Sequence, residues 1–263
     1  GRAFVSNAIA DAVEGTDVGV LKAWHAGFWY AHLADFLAFL CYLPYSKHMH
    51  IFTAAVNVFF RRIQPTGVLQ PIPDLETREV FGVGRVQDFT WKQLLDSYTC
   101  TECGRCEIAC PAFLTGKALS PKKIVHDLRE HLFVNAPDLL KVPVLNVGLS
   151  EHHQRGESVV EALGFDPLWD CVTCGACQYE CPVFIEHIPT IMDVRRYLVM
   201  DEARMPETAQ MTLMNLEQRG HPWRGTQLTR TTWIEEMGNV PMFDGSQEYL
   251  YWVGCTGALV ERN

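Results

Sequence analysis

The sequence predicts a mainly α-helical chain in two parts, a transmembrane helix followed by a soluble helical domain that binds metal through cysteine. Three observations carry this. Lys22 and Lys47 bracket 24 residues whose only formal charge is Asp35. Helix-start signals recur along the rest of the chain, where one short segment alone reads as strand. Eight of the ten cysteines fall in two tight runs, a pattern of metal binding in a reducing compartment and not of a disulfide framework. The net charge of −9 over 263 residues excludes the electropositive face that a nucleic-acid partner would need. The chain opens at Gly1 with no Met and no signal peptide, which reads as an internal piece of something longer.

Residues 1–62 form the first part, with five basic and four acidic side chains against 17 and 27 in the remainder. The 24-residue run makes roughly 36 Å of helix, enough for a hydrocarbon core of roughly 30 Å. Trp24, Phe28, Trp29 and Tyr30 crowd one end and Tyr42 and Tyr45 the other, as interfacial belts do. A buried helix of a soluble protein is the alternative. Glu14 and Asp17 precede the run, whereas Lys47, Arg61 and Arg62 follow it, which puts the C-terminal side in the cytoplasm. Pro65, Pro71 and Pro73 mark residues 63–85 as an extended linker.

Beyond the linker, Thr90 and Gln93 form a capping box before WKQLLD. Ser120-Pro121 opens KKIVHDLREHLF with an N-cap and a proline at the first helical position. Pro189 opens a helix through IMDVRRYLVM, and PETAQMTLMNLEQRG stops at Gly220. YLYWVG near the end is the strand. Phe81-Gly82-Val83-Gly84 is a turn that lacks the rest of a dinucleotide fingerprint. His152 and His153 read as a solvated loop.

Two segments repeat one spacing: Cys100-x2-Cys103-x2-Cys106-x3-Cys110-Pro111 and Cys171-x2-Cys174-x2-Cys177-x3-Cys181-Pro182. This is the bacterial 4Fe–4S run, in which the fourth cysteine serves the other cluster. Three thiolates in a short loop reach three corners of a cubane, and the fourth corner must be met from elsewhere. Cys100, Cys103, Cys106 and Cys181 are therefore assigned to one cluster, and Cys171, Cys174, Cys177 and Cys110 to the other. Structural zinc is the alternative, but it takes paired C-x2-C units across a longer loop. Gly104 and Gly175 match between the repeats and admit close backbone approach.

The motifs YTCTECGRCEIACPA and WDCVTCGACQYECPV, with EHIPTIMDVRRYLVM behind them, resemble the α-helical ferredoxin fold of succinate dehydrogenase iron–sulfur subunits and of the C-type subunit of heterodisulfide reductase. The resemblance covers roughly residues 86–220 and implies a dicluster α-helical ferredoxin domain there. In the apolar helix, His32 and His50 are 18 residues apart, five full turns, so a straight helix shows them on one stripe about 27 Å apart. An ionisable group at such depth defaults to a functional hypothesis, although interfacial hydrogen bonding is the alternative. HLADFLAFLCYLPYSKHMHIFT looks like the last membrane helix of nitrate-reductase cytochrome b subunits. That resemblance implies haem b ligation by His32 and His50, two haems in all, with the remaining ligands from helices outside this chain. His48 points to the opposite face, His25 lies close to the stripe, Asp35 sits one turn from His32, and Cys41 is a packing thiol. Lys22 and Trp29 either border a quinone pocket or anchor the helix. YLYWVGCTGAL resembles the opening of a cysteine-rich CCG domain, so residues 221–263 are expected to be a connector and the start of such a domain, with Cys255 a candidate cluster ligand.

The order of parts resembles the membrane-bound iron–sulfur oxidoreductases related to heterodisulfide reductase. It implies an electron conduit in a prokaryotic inner membrane with its iron–sulfur domain in the cytoplasm. Its partners would be quinone and a soluble redox protein such as electron-transfer flavoprotein or a reductase subunit. Two alternatives stay open: a membrane-anchored dicluster ferredoxin without haem, and part of a CCG-type disulfide reductase.

Overall fold

The computed structural model describes residues 3–65, 68–72, 74–141, 157–223 and 229–260. His152 and His153 lie outside them. The chain divides into two compact units, residues 1–71 with 84–192 and residues 72–83 with 193–263. Helices dominate both, and no strand occurs among the described residues.

The first unit opens with α1 (Phe4–Ala12) and α2 (Val18–Tyr42). Asp17 caps α2, its carboxylate accepting from the amides of Gly19 and Val20 at 2.8 and 3.3 Å, so two of the orphan donors of the first turn are satisfied. None of the side chains of α2 is buried. The run Val18–Tyr45 is long and apolar enough to cross a membrane, by length and composition.

The stripe through His32 and His50 holds only for a straight helix, and it is corrected here, at the place where Pro44 already suggests a kink from sequence. The α-helix stops at Tyr42, and two 3₁₀ turns, Leu43–Tyr45 and Lys47–Met49, intervene before α3 (His50–Phe59). Pro44 lacks the amide that would continue the ladder and its ring crowds the preceding turn. Ser46 then takes an extended conformation and caps the second turn, accepting from the His48 amide at 3.1 Å.

α3 packs on α4 (Trp91–Thr99). The Thr90–Gln93 capping box forms as expected, the Thr90 amide donating to Gln93 Oε1 at 2.9 Å and the Gln93 amide to Thr90 Oγ1 at 3.3 Å. Two one-turn helices follow, α5 (Arg105–Ile108) and α6 (Pro111–Leu114), then the long α7 (Pro121–Lys141). Ser120 caps α7 through the Lys123 amide at 3.0 Å. The helix outruns the expected KKIVHDLREHLF and continues through Pro137. α7 packs against α4, α5 and α8 (Val159–Leu163), burying Ile124, Val125, Leu128 and Leu132. α9 (Phe165–Asp170), α10 (Ala176–Tyr179) and the start of α11 (His187–Met200) complete this unit. α11 begins two residues before the expected Pro189, which occupies its first turn where a missing amide costs nothing.

In the second unit, Gly82 lies against the later turns of α11. A Cβ there would collide with the Tyr197 nitrogen and the Asp193 carbonyl, and the next amide, Val83, donates to that carbonyl at 2.9 Å. The segment read from sequence as a plain turn is thus a backbone contact that only glycine permits. α12 (Glu207–Arg219) ends at Gly220 with φ 69°, the expected stop. α13 (Thr232–Met237) and α14 (Cys255–Leu259) follow. The expected strand at YLYWVG is absent: Tyr249, Tyr251 and Trp252 lie exposed in irregular chain, with no neighbouring strand to take up their amides.

Two substitutions test these positions. Thr90→Ala removes one half of a capping box and is expected to cost about 1 kcal/mol. Gly82→Ala is expected to cost about 1–3 kcal/mol through overpacking. Both are read by denaturant unfolding of the metal-loaded protein, and an unchanged midpoint for Gly82→Ala would contradict the close approach.

Candidate metal centre

The two cysteine runs fold alike. Glu102 and Thr173 both have φ 55°, and Gly104 and Gly175 follow at φ 77° and 82°. This alternation turns successive amides inward, the concave arrangement that favours anionic groups. Each glycine then caps a one-turn helix carrying the third cysteine, α5 for Cys106 and α10 for Cys177, and these two helices pack on each other. Arg129 holds the first loop through Glu102 at 2.7 Å. Glu107 ties α5 to the start of α7, accepting from Ser120 Oγ at 2.6 Å and pairing with Lys122 at 2.8 Å.

The runs meet crosswise. One cavity is lined by Cys100, Cys103, Cys106 and Cys181, with Lys122, Val183, Ile185 and His187 in its wall. A second is lined by Cys110, Cys171, Cys174 and Cys177, walled by Leu119, Pro121, Ile188 and Ile191. The fourth cysteines therefore stand with the opposite runs, and each quartet surrounds a space. No three His, Cys, Asp or Glu among the described residues gather closely enough to hold a single ion.

The electrostatics of the quartets suit ligands of a positive centre. Burial, followed by the neighbouring thiols, pushes Cys106 and Cys177 up to about 12. Burial likewise raises Cys100 and Cys181. At Cys103 burial also acts upward, but the Arg105 amide and the Thr101 side chain outweigh it and lower the thiol. Amide donors also reach Cys171, from Thr173 at 3.4 Å, and Cys181, from Ile185 at 3.3 Å. His187 is 2% exposed, and burial drives its ring down to about 4 against the opposing pull of the Ile185 backbone. It is neutral at pH 7, and its buried Nδ1 has no hydrogen-bond partner among the described residues. Four soft sulfur ligands around one space, with amides directed at the sulfurs, fit a 4Fe–4S cluster in each quartet.

The comparisons with known proteins bear on the same stretch. Residues 92–182 match the family described as a 4Fe-4S dicluster domain. Over that stretch the chain resembles dicluster iron–sulfur domains. It is 36% identical to the EtfAB:quinone oxidoreductase of Syntrophomonas wolfei over 93% of this chain. It is also 36% identical to the iron-sulfur-binding oxidoreductase FadF of Bacillus subtilis over 89%. A membrane-anchored ferredoxin of Chromohalobacter salexigens shares 35% over 66% of the chain and 27% of the relative's length. The chain spans 37% and 38% of the first two relatives' length. By this kinship it is related to iron–sulfur oxidoreductases.

None of the other histidine candidates, nor Cys41, lines either cavity. His25, His32, Asp35 and Cys41 are exposed along α2, and His48 and His50, in ring contact at 6.4 Å, flank the start of α3. Cys255 is half-buried at the first position of α14. Sequence reasoning missed Asn57, Asp96 and Glu186, which are buried and link α3 to the Cys181 loop. Their signal was faint, a lone Asn between apolar residues on a short helix.

Crossed ligation predicts non-additive metal loss. Cys110→Ala and Cys174→Ala serve one cavity, so the double variant should lose no more iron and sulfide than either single variant, about half of the total. Combining Cys110→Ala with Cys103→Ala should remove nearly all. Iron and acid-labile sulfide on anaerobically purified protein decide it, and the reverse pattern would break the crossed assignment.

Proposed function

We propose that this chain is the membrane-anchored electron-carrying section of an iron–sulfur oxidoreductase, passing electrons between the membrane and a soluble redox partner. The crossed pair of four-cysteine cavities is the observation that carries the reading. A bound 4Fe–4S cluster supplies reversible one-electron storage without bond making at the protein. The chain does the rest. Cys100, Cys103, Cys106 and Cys181 hold one cluster, and Cys110, Cys171, Cys174 and Cys177 the other. Amides of the paired loops face the sulfurs, Leu119, Ile188 and Ile191 keep water from one site, and Arg129 and Lys122 steady the loops of the other. The run Val18–Tyr45 anchors the domain, its aromatic ends at the two interfaces, with residues 63 onward in the cytoplasm.

Quinone as the membrane partner, and a flavoprotein or reductase subunit as the soluble one, are supported by the kinship with the Syntrophomonas and Bacillus proteins. A haem-bearing version is the second reading, favoured by one observation: His32 is ionisable near the middle of a mainly apolar, lipid-length helix. The break at Pro44 removes the straight stripe that paired it with His50, so the carrier without haem stands first.

Deleting residues 18–42 should move the protein from the alkaline-washed membrane pellet to the soluble fraction with its iron retained. A variant that stays in the pellet would overturn the anchor. Pyridine haemochrome absorbance on the intact protein, with His32→Ala beside it, separates the readings. No haem signal supports the plain carrier, and a haem b signal lost in His32→Ala supports the second.

A further inference from the structure

α3 is built inside out for a helix on a water-soluble body. Its polar residues Thr53 and Asn57, one turn apart on one face, are buried, Asn57 at 0% exposure. Its apolar residues Ile51, Phe52, Val56 and Phe59 stand exposed, Phe59 at 80%. The buried face grips one metal site. Asn57 Nδ2 donates to Asp96 Oδ1 at 2.8 Å and to the Val183 carbonyl at 2.9 Å. Asp96 lies on α4, which leads directly into Cys100, and Val183 follows Cys181 by two residues. Thr53 Oγ1 reaches the Tyr98 carbonyl at 3.4 Å, and Ala54 packs against the core formed by Cys100, Cys181, Val183 and Ile185 with Val125. Just past the helix, Arg62 pairs with Glu186 at 2.9 Å and Arg61 sits 4.3 Å over the Phe184 ring.

We propose that α3 lies at the bilayer surface with its apolar side in lipid, and that its polar grip makes the site of Cys100, Cys103, Cys106 and Cys181 the membrane-side terminal of the pair. The site of Cys110, Cys171, Cys174 and Cys177 is then the outer terminal, where electrons meet the soluble partner. Lipid is the occupant of the apolar side because α3 continues the chain from the apolar run Val18–Tyr45 through only two short turns. Water on that side would leave several large apolar side chains in contact with solvent at a cost that lipid removes. The assignment of order rests on the anchored-carrier reading above.

The test uses the whole protein in phosphatidylcholine vesicles doped with a nickel-chelating lipid. Cys174→Ala and Cys103→Ala each leave one site with its full set of ligands. Both positions are exposed, so the fold should tolerate the change. Should either variant assemble neither cluster, Cys174→Ser and Cys103→Ser, whose hydroxyls can still ligate iron, keep both clusters and mark the altered one by its shifted signal, so that the unaltered one is read instead. EPR power saturation of the reduced protein reads how strongly bilayer-bound nickel relaxes the cluster that remains. Stronger relaxation in Cys174→Ala than in Cys103→Ala is expected. Equal relaxation, or the reverse order, would overturn the assignment while leaving the anchor standing. Failure of the protein to float with the vesicles would overturn the anchor and this inference together.

Discussion

Everything in the first unit follows from a difficulty with sulfur. Four thiols placed around one space repel as thiolates and, once buried, hold their protons: Cys106 in one quartet and Cys177 in the other are pushed up to about 12. A highly charged metal centre reverses this, because metal ligation deprotonates the thiol outright. Each run can deliver only three sulfurs from one short loop, so on the proposed ligation each takes its fourth from the other. That exchange ties residue 100 to 181 and residue 110 to 171. The intervening α7 spans the gap, with Ser120, Lys122 and Arg129 bonded back to the first loop.

A second layer of polar contacts fixes the first. Asp96, 3% exposed, accepts from Lys92 at 2.8 Å, from Asn57 and from the Glu186 amide at 3.2 Å. Burial raises the Asp96 carboxyl, and Lys92 and Asn57 offset part of that. Such a network is worth keeping only when nearly every member is satisfied. Here it joins a helix with an outward apolar face to the loop that carries Cys181. Packing, hydrogen bonding and the position of a metal ligand are thereby one problem.

Much of this was legible in the sequence, because the strongest signals were chemical and local. The spacing of the cysteines gave the two quartets that the fold gathers, and Thr90, Ser120 and Gly220 marked helix ends that form where their side chains or backbone dictate. What was illegible depended on tertiary context. Pro44 sat inside an otherwise continuous apolar run, and whether it kinks or ends a helix depends on what can satisfy the freed carbonyls. Here Ser46 offers an alternative cap and the helix ends. YLYWVG has strand-forming residues, but a strand needs a partner, and none of the described residues provides one. Gly82 looked like turn punctuation because its reason, the backbone of α11, lies more than a hundred residues away. Asn57 carried no pattern at all, and its role exists only once α3 meets α4.

The account stands on two 4Fe–4S clusters held close together by exchanged ligands. The most direct test is iron and acid-labile sulfide per chain, with EPR of the dithionite-reduced protein purified without oxygen. The account predicts about eight of each per chain and a spectrum broadened by magnetic interaction between two reduced clusters. Zinc in place of iron, or a single isolated cluster signal, would contradict it.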